Sequence, residues 1–542
     1  MTKYFITRAI CALAFPLLIA SCKKGPEINT LDTGDFGPTE TALRDVADFP
    51  IGAAISGTPF LNDAGYSGAV KRDFDGVTFE WLMKHGAIVK DNGTLDFTNT
   101  DALVNAVGSQ EIFGHTLAWH ENVNSNYLKS FAGITIPDAP ELVLNGNFEA
   151  GDATLTNWNQ YNMQSGSTWG PTTAAAEVRA GARAMKVQAN VGDPTGQWKV
   201  QIASDLFNTE SGKQYRVAYY IKAASAGGTV RLSTQTAGGG SAQYQGDQAI
   251  AAGAWTQIVW TITANSPQTR LVFDMGASVN TYFIDDVSIK EVIQAPSGPA
   301  IASKLEQALE NFITTTVNRY KNKVKAWDVL NEPMSPSGAY RTSANSSDIS
   351  GIATRANFLM WSDYMGRDYA LKAFQFAKAA DPTADLYIND FGLESSAAKT
   401  DSLIALVAEL KAKGAKIDGI GTQMHLARSN INYAGIDRMM QALAATGLKI
   451  RISELDVRVV QNNASGGMTA QFAGIQAAIY KYAIESYIKH VPAAQRAGVT
   501  IWGVNDGNSW MSNNGAEFPL LYDDSYNRKP AYTGVLQALQ SK

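Results

Sequence analysis

The chain has 542 residues, with 45 Lys and Arg against 50 Asp and Glu, and a formal net charge of −5. That length exceeds what one hydrophobic core supports, so two domains, or one large domain carrying an insertion, are expected. No basic stripe is available to neutralise phosphates, which excludes nucleic acid as a partner.

Residues 1–22 open with Lys3 and Arg8, continue as an apolar run from Ile10 to Ala20, and end Ile19-Ala20-Ser21-Cys22. A basic start, a short apolar run and small residues at its end predict a signal peptide rather than a spanning helix. The ending resembles a bacterial lipoprotein cleavage box, which implies that Cys22 is lipidated and anchors the protein to a membrane. Lys23 in place of an acidic residue directs that expectation to the outer membrane. Cys11 is the only other cysteine, so no disulfide is expected in the folded part. Residues 23–40, polar and rich in Gly, Pro and Thr, read as a flexible tether.

Short apolar runs then alternate with segments of helical periodicity, a pattern of βα units on a parallel sheet. The strand candidates are 49–55, 74–80, 111–119, 324–330, 385–390, 417–423, 448–454 and 498–504, with helical candidates such as 303–321, 367–380, 400–414 and 469–491 between them. Eight such units predict an α/β fold, a (β/α)8 (TIM) barrel over residues 41–140 and 301–542, whose site lies at the carboxyl ends of the strands. Glu80, His120, Glu332, Asn389, His425, Glu454 and Trp502 all fall at or near those ends.

The pattern breaks between the third and fourth strands. Residues 141–292 are rich in Gly, Ala, Thr and Asn and show short alternating runs such as QYRVAYYIKAA and AWTQIVWTITA. They predict an inserted antiparallel β-sandwich of jelly-roll type, followed by a linker at 293–300. An insertion into one barrel loop requires its two ends to lie close together.

Two glutamates carry the chemistry. Glu332 in AWDVLNEP and Glu454 in IRISELDVR each follow a buried-strand run, and hydrolysis of a sugar–sugar bond with retained configuration needs one carboxylic acid and one carboxylate. Around them, GHTLAWH (114–120), YINDFG (387–392), DGIGTQMHL (418–426), IWGVNDGNSW (501–510) and PLLYDDSYNRKPAY (519–532) occur in one order. Together these motifs resemble those of glycoside hydrolase family 10, the endo-β-1,4-xylanases. The ends of the insert, ELVLNGNFEAGD and NTYFIDDVSIKEV, resemble the borders of carbohydrate-binding modules of families 4, 9 and 22.

The resemblance implies a retaining endo-1,4-β-xylanase acting on xylan and xylo-oligosaccharides, with Glu332 as acid/base and Glu454 as nucleophile. It places Asn331 on the sugar 2-hydroxyl, His425 and Asp456 beside the nucleophile, and Gln423 near the acid/base. Glu80, Lys84, His115, Trp119, Asn122, His425, Trp502 and Trp510 are the further sugar contacts it implies, with Trp502 and Trp510 walling the sugar nearest the cut. Trp119, Trp327 and Trp361 read equally well as core. Two positions depart from the family pattern: Trp81 follows Glu80 where Asn is usual, and Glu121-Asn122 stand where Ser-Gln is usual. In the insert, Trp198 and Tyr244 are the candidates for sugar stacking, while Asp285 and Asp286 either end a strand or help hold a structural calcium. Three of the five histidines, His115, His120 and His425, fall in motifs, yet no zinc-type ligand spacing appears, and paired-carboxylate hydrolysis needs no metal. No cofactor and a monomer are expected. Two other readings stay open: a catalytically silent glycan-binding lipoprotein, and the same chemistry on another β-glycan.

Overall fold

The computed structural model describes residues 35–541 apart from 136–138, 152, 294–295, 347, 350–354, 356 and 461–466. The expected signal peptide, Cys22 and most of the expected tether lie outside the described residues. Residues 134–296 form one compact unit and the chain on either side of them forms the other.

In the larger unit the eight expected strands are present: β1 (Ile51–Ile55), β2 (Gly76–Phe79), β3 (Glu111–Ala118), β4 (Val324–Asn331), β5 (Asp385–Asp390), β6 (Gly419–Thr422), β7 (Lys449–Arg458) and β8 (Arg496–Ile501). Each pairs in parallel with the next, from Gly52 opposite Gly76 round to Ile452 opposite Val499, and β1 closes on β8 through Ala53 and Ile501. The ring leaves no open edge among them. Strands covered on both faces should read as continuous apolar runs, and β1 is buried along its whole length. Gly114 lets Trp327 lie against β3: a Cβ there would come within 2.1 Å of the indole. Trp327 and Trp361 are core residues, at 0% and 1% exposure.

The helices on the outside begin where side chains can take their free N–H groups. Ser396 accepts from Lys399 N at the start of Ala397–Ala412, and Thr469 accepts from Phe472 N at the start of Ala470–His490. Proline opens both Pro299–Tyr320 and Pro530–Gln540, where its missing N–H costs nothing. Among the described residues no helix is long and apolar enough to cross a membrane.

The smaller unit is a sandwich of two antiparallel sheets. One runs in the order Gln243–Ile250, Gly228–Gln235, Gln268–Asp274, Val200–Ser204, Trp158–Met163; the other runs Thr256–Thr263, Gln214–Ala223, Asn280–Glu291, Ala184–Ala189, Thr168–Thr172. Alternation drives the packing: in Gln214–Ala223 the residues Tyr215, Val217, Tyr219 and Ile221 enter the core with Trp158, Leu232 and Phe273. Its ends meet, since Leu142 N donates to Ile289 O (3.0 Å) and the Glu141 carboxylate accepts from Ser288 Oγ (2.6 Å) and Ile289 N (2.6 Å).

Candidate active site

Glu332 follows β4 directly and Glu454 lies within β7. Glu332 adopts φ 54°, a left-handed conformation rare outside glycine and concentrated at functional sites. Its N–H donates to Asn389 O (2.8 Å), and Arg341 Nε donates to its carbonyl (3.0 Å), so the backbone is held from both sides. Gln423 Nε2 donates to Glu332 Oε1 (3.1 Å), and Glu454 N donates to Gln423 O (3.1 Å). One residue thus touches both glutamates.

A second link runs through Asn389. Its amide donates to Asn331 Oδ1 (2.9 Å) and to Glu454 Oε1 (2.7 Å), while its own oxygen accepts from Ser453 Oγ (2.7 Å). On the other side of Glu454, His425 Nε2 lies 3.4 Å from Oε2, and His425 Nδ1 lies 3.0 Å from Asp456 Oδ2. Trp510 Nε1 donates to the same Asp456 oxygen (3.0 Å) and its ring meets the His425 ring edge-on. Met424, at φ 59°, redirects the chain between Gln423 and a short strand, His425–Ala427, that pairs with β7. That turn brings Gln423 to one glutamate and His425 to the other.

The two carboxyls sit in opposite electrostatic settings. Burial pushes Glu332 up to about 7, against the Gln423 hydrogen bond that favours its charged form. Burial opposes charge at Glu454 as well, but the His425 hydrogen bond and the positive charges nearby outweigh it and hold this carboxyl below its ordinary range. His425, which burial alone would depress, is pushed up to about 10 by Asp456 and Glu454. At neutral pH the site therefore holds a carboxyl poised to give a proton and an ionised one held by an imidazolium.

Around this pair Lys84 is buried, its Nζ 4.7 Å from the centre of the half-buried Trp119 ring. Glu80 accepts from Ser56 Oγ (2.5 Å), and His120 Nε2 is 3.9 Å from Glu332 Oε2. Trp502 is buried, whereas Trp510 is 64% exposed and leaves a broad ring face open. His115 is 1% exposed, with Nδ1 on Asp328 (2.9 Å) and its ring against the edge of Trp502, so that wall is backed from behind. Asn122, at φ 53°, has its side-chain oxygen 3.4 Å from Asn357 Nδ2. Trp81 is 43% exposed. A Cβ on Gly86 would come within 3.2 Å of the Trp81 ring and 2.7 Å of Asn122 O, so the indole borders Asn122.

In the sandwich, Trp198 and Tyr244 are both more than half exposed. The Arg231 guanidinium lies 4.5 Å from the centre of the Tyr244 ring and its Nε donates to Asp274 (3.0 Å), which also accepts from Gln201 (2.6 Å) and Ser233 (3.1 Å). This polar floor was not among the expected residues. Asp285 accepts from the N–H groups of Arg179 (3.0 Å) and Ala180 (3.3 Å), and Asp286 pairs with Arg179. Among the described residues no group of three or more His, Cys, Asp or Glu is placed to hold a metal ion.

Comparison with known proteins agrees with this architecture. Residues 41–137 and 291–538 match the glycosyl hydrolase family 10 profile, and residues 140–278 match a carbohydrate binding domain profile. Endo-1,4-beta-xylanase A of Cellvibrio japonicus is 37% identical over 256 residues, which is 44% of this chain and 41% of that protein. Exoglucanase XynX of Acetivibrio thermocellus is 33% identical over 246 residues, 44% of this chain and 20% of that protein. The aligned part thus spans well under half of either relative. The crystal structure of xylanase 10B from Thermotoga petrophila in complex with xylobiose shares the fold, with a TM-score of 0.53 at 21% identity, covering 93% of this chain and 98% of that one. With a barrel of eight parallel strands, and a match to the family profile on both sides of an inserted module, the chain belongs to glycosyl hydrolase family 10.

Proposed function

We propose that the protein is a retaining endo-1,4-β-xylanase that cuts internal bonds of xylan and xylo-oligosaccharides. The observation that carries this reading is the divergence of two linked carboxyls, Glu332 raised to about 7 and Glu454 lowered. Glu454 attacks the anomeric carbon as the glycosidic C–O bond breaks, and Glu332 delivers its proton to the departing oxygen. A glycosyl ester on Glu454 results. Water then attacks that carbon, Glu332 takes back a proton, and the Glu454 carboxylate leaves. His425 restrains the nucleophile, and Asn331, held by Asn389, is presented to the sugar 2-hydroxyl.

The sandwich serves to hold the polymer, with Trp198 and Tyr244 as stacking faces. Lipidation at Cys22 anchors the enzyme to the outer membrane, facing outward. The test is the fate of the anomeric centre: proton NMR of fresh xylo-oligosaccharide products shows the β-anomer first, and Glu454→Ala, inactive on xylan, regains turnover of an aryl xyloside with added azide. Early α-product, or near-normal activity of Glu332→Gln, sinks the assignment. A second reading, the same chemistry on another β-glycan, is favoured by the relative named an exoglucanase and by Trp81. Product sizing on a panel of purified plant polysaccharides separates the two.

A further inference from the structure

The barrel has a second recess at the end opposite the glutamates. Around the starts of the strands lies a cavity of about 300 Å³, bordered by Lys323, Lys325, Lys449, Arg451 and Arg496 against Glu111 and Asp385. Five cations thus face two carboxylates. Two of the cations are engaged with acids: Lys449 Nζ is 2.5 Å from Asp385, and Arg496 is 3.7 Å from Asp48. Lys325 Nζ donates to the carbonyl of Lys321 (3.0 Å) and touches no carboxylate among the described residues.

Arg451 is the unusual member. It is 7% exposed and points into the lower barrel, its guanidinium 4.2 Å from the centre of the Phe113 ring. Nη1 donates to Ala497 O (3.2 Å) and Nη2 to Thr500 Oγ1, but Nε is buried without an acceptor, and among the described residues no carboxylate touches the guanidinium, Asp328 and Glu111 acting on it only from further off. A buried guanidinium with no carboxylate in direct contact is costly, and an unmet donor adds the penalty of its desolvation. Both costs are removed if an anion enters the recess.

We propose that this recess binds a small oxyanion, a phosphate or the carboxylate of a small organic acid, held by Arg451 and by the ammonium groups of Lys323 and Lys325. The site lies away from the sugar chemistry, at the barrel face that serves stability rather than catalysis. An anion bound there stabilises the folded state by mass action and leaves hydrolysis unchanged.

The experiment uses the full chain in buffers of constant ionic strength, with chloride replaced stepwise by inorganic phosphate or by glucuronate, and reads the melting temperature and the heat of binding. A saturable rise with phosphate alone assigns the phosphate source; a saturable rise with glucuronate, alone or as well, assigns the carboxylate. The double variant Lys323→Ala/Lys325→Ala, changed only at exposed positions, weakens the binding by about tenfold or more, as expected for lost charge-assisted contacts. Its kcat/KM on xylan stays that of the parent. Absence of a saturable response to both anions overturns the proposal, as does unchanged affinity in the double variant. Competition by xylo-oligosaccharide also overturns it, because the anion would then occupy the cleft.

Discussion

Burial makes Glu332 an acid near neutral pH, and the same burial costs the fold. Its folded value of about 7 stands above the ordinary 4.5, so the protonated form is favoured on folding. That contribution is full below the ordinary value and is lost as pH rises through about 7. Glu332→Gln abolishes hydrolysis, yet leaves stability unchanged near pH 4 and raises it above pH 7. The ceiling is about 3 kcal/mol for a shift of this size, reduced because 15% of the side chain is open to solvent. Urea unfolding at the two pH values checks this. In the parent, kcat/KM falls above about 7 as the acid ionises.

At Trp81 the structure decides one question that sequence leaves open: the half-exposed ring is not core. If it stacks on the second sugar from the cut, Trp81→Ala raises KM for short xylo-oligosaccharides by roughly tenfold, about 1.5 kcal/mol of lost apolar contact. If it blocks that position, Trp81→Asn speeds their turnover. Product patterns from xylotriose to xylohexaose distinguish the two. Glu332 and Glu454 were legible because their motifs are specific. The Asp328 partner of His115 was not legible, because a histidine in a motif does not reveal what its ring is held by. Asn389, with contacts to Asn331, Glu454 and Ser453, was legible as a strand-end residue but not as a hub, since its partners depend on the register that sets it opposite Asn331.

Among the elements, the eight strands were readable from their apolar runs, whereas the strand His425–Ala427 was not. It depends on the left-handed turn at Met424, and nothing about a methionine announces that conformation. The loop after β4 depends in the same way on Arg341, 1% exposed, which donates to Glu332 O, Met334 O and Asp348. Arg341→Met leaves those acceptors unmet and is expected to cost about 3–5 kcal/mol. The measurement is a fall in Tm accompanied by a larger loss in kcat than in substrate affinity. An unchanged Tm would mean that the loop keeps its form without the guanidinium.

For the whole molecule, the insertion was visible as a change in composition, and its two ends do meet. Excising residues 141–292 and bridging the gap with a short linker leaves a barrel that cleaves soluble xylo-oligosaccharides at the parent rate and loses activity on insoluble xylan, where tethering had raised the effective concentration. Equal rates of both forms on insoluble xylan would remove the binding role. Under the proposed lipidation, Cys22→Ala is expected to move the protein from the membrane fraction to the soluble one, checked by fractionation of expressing cells, because the acyl chains of a lipoprotein are all attached at its lipidated cysteine.

The meeting of those ends also bears on how the barrel is made. Strands β3 and β4 must pair across a long gap: Thr116 Oγ1 bonds the carbonyl of Asp328, 212 residues away. An unstructured loop of that length opposes closure, and each halving of its effective length eases it by about 0.6 kcal/mol. Once the sandwich has folded with Glu141 fixed on Ser288 and Ile289, it no longer counts as slack chain, and only the connecting stretches separate the two strands. The folded module then acts as a short staple rather than as slack chain, and pairing the third strand with the fourth is expected to cost the closure entropy of the connecting stretches alone.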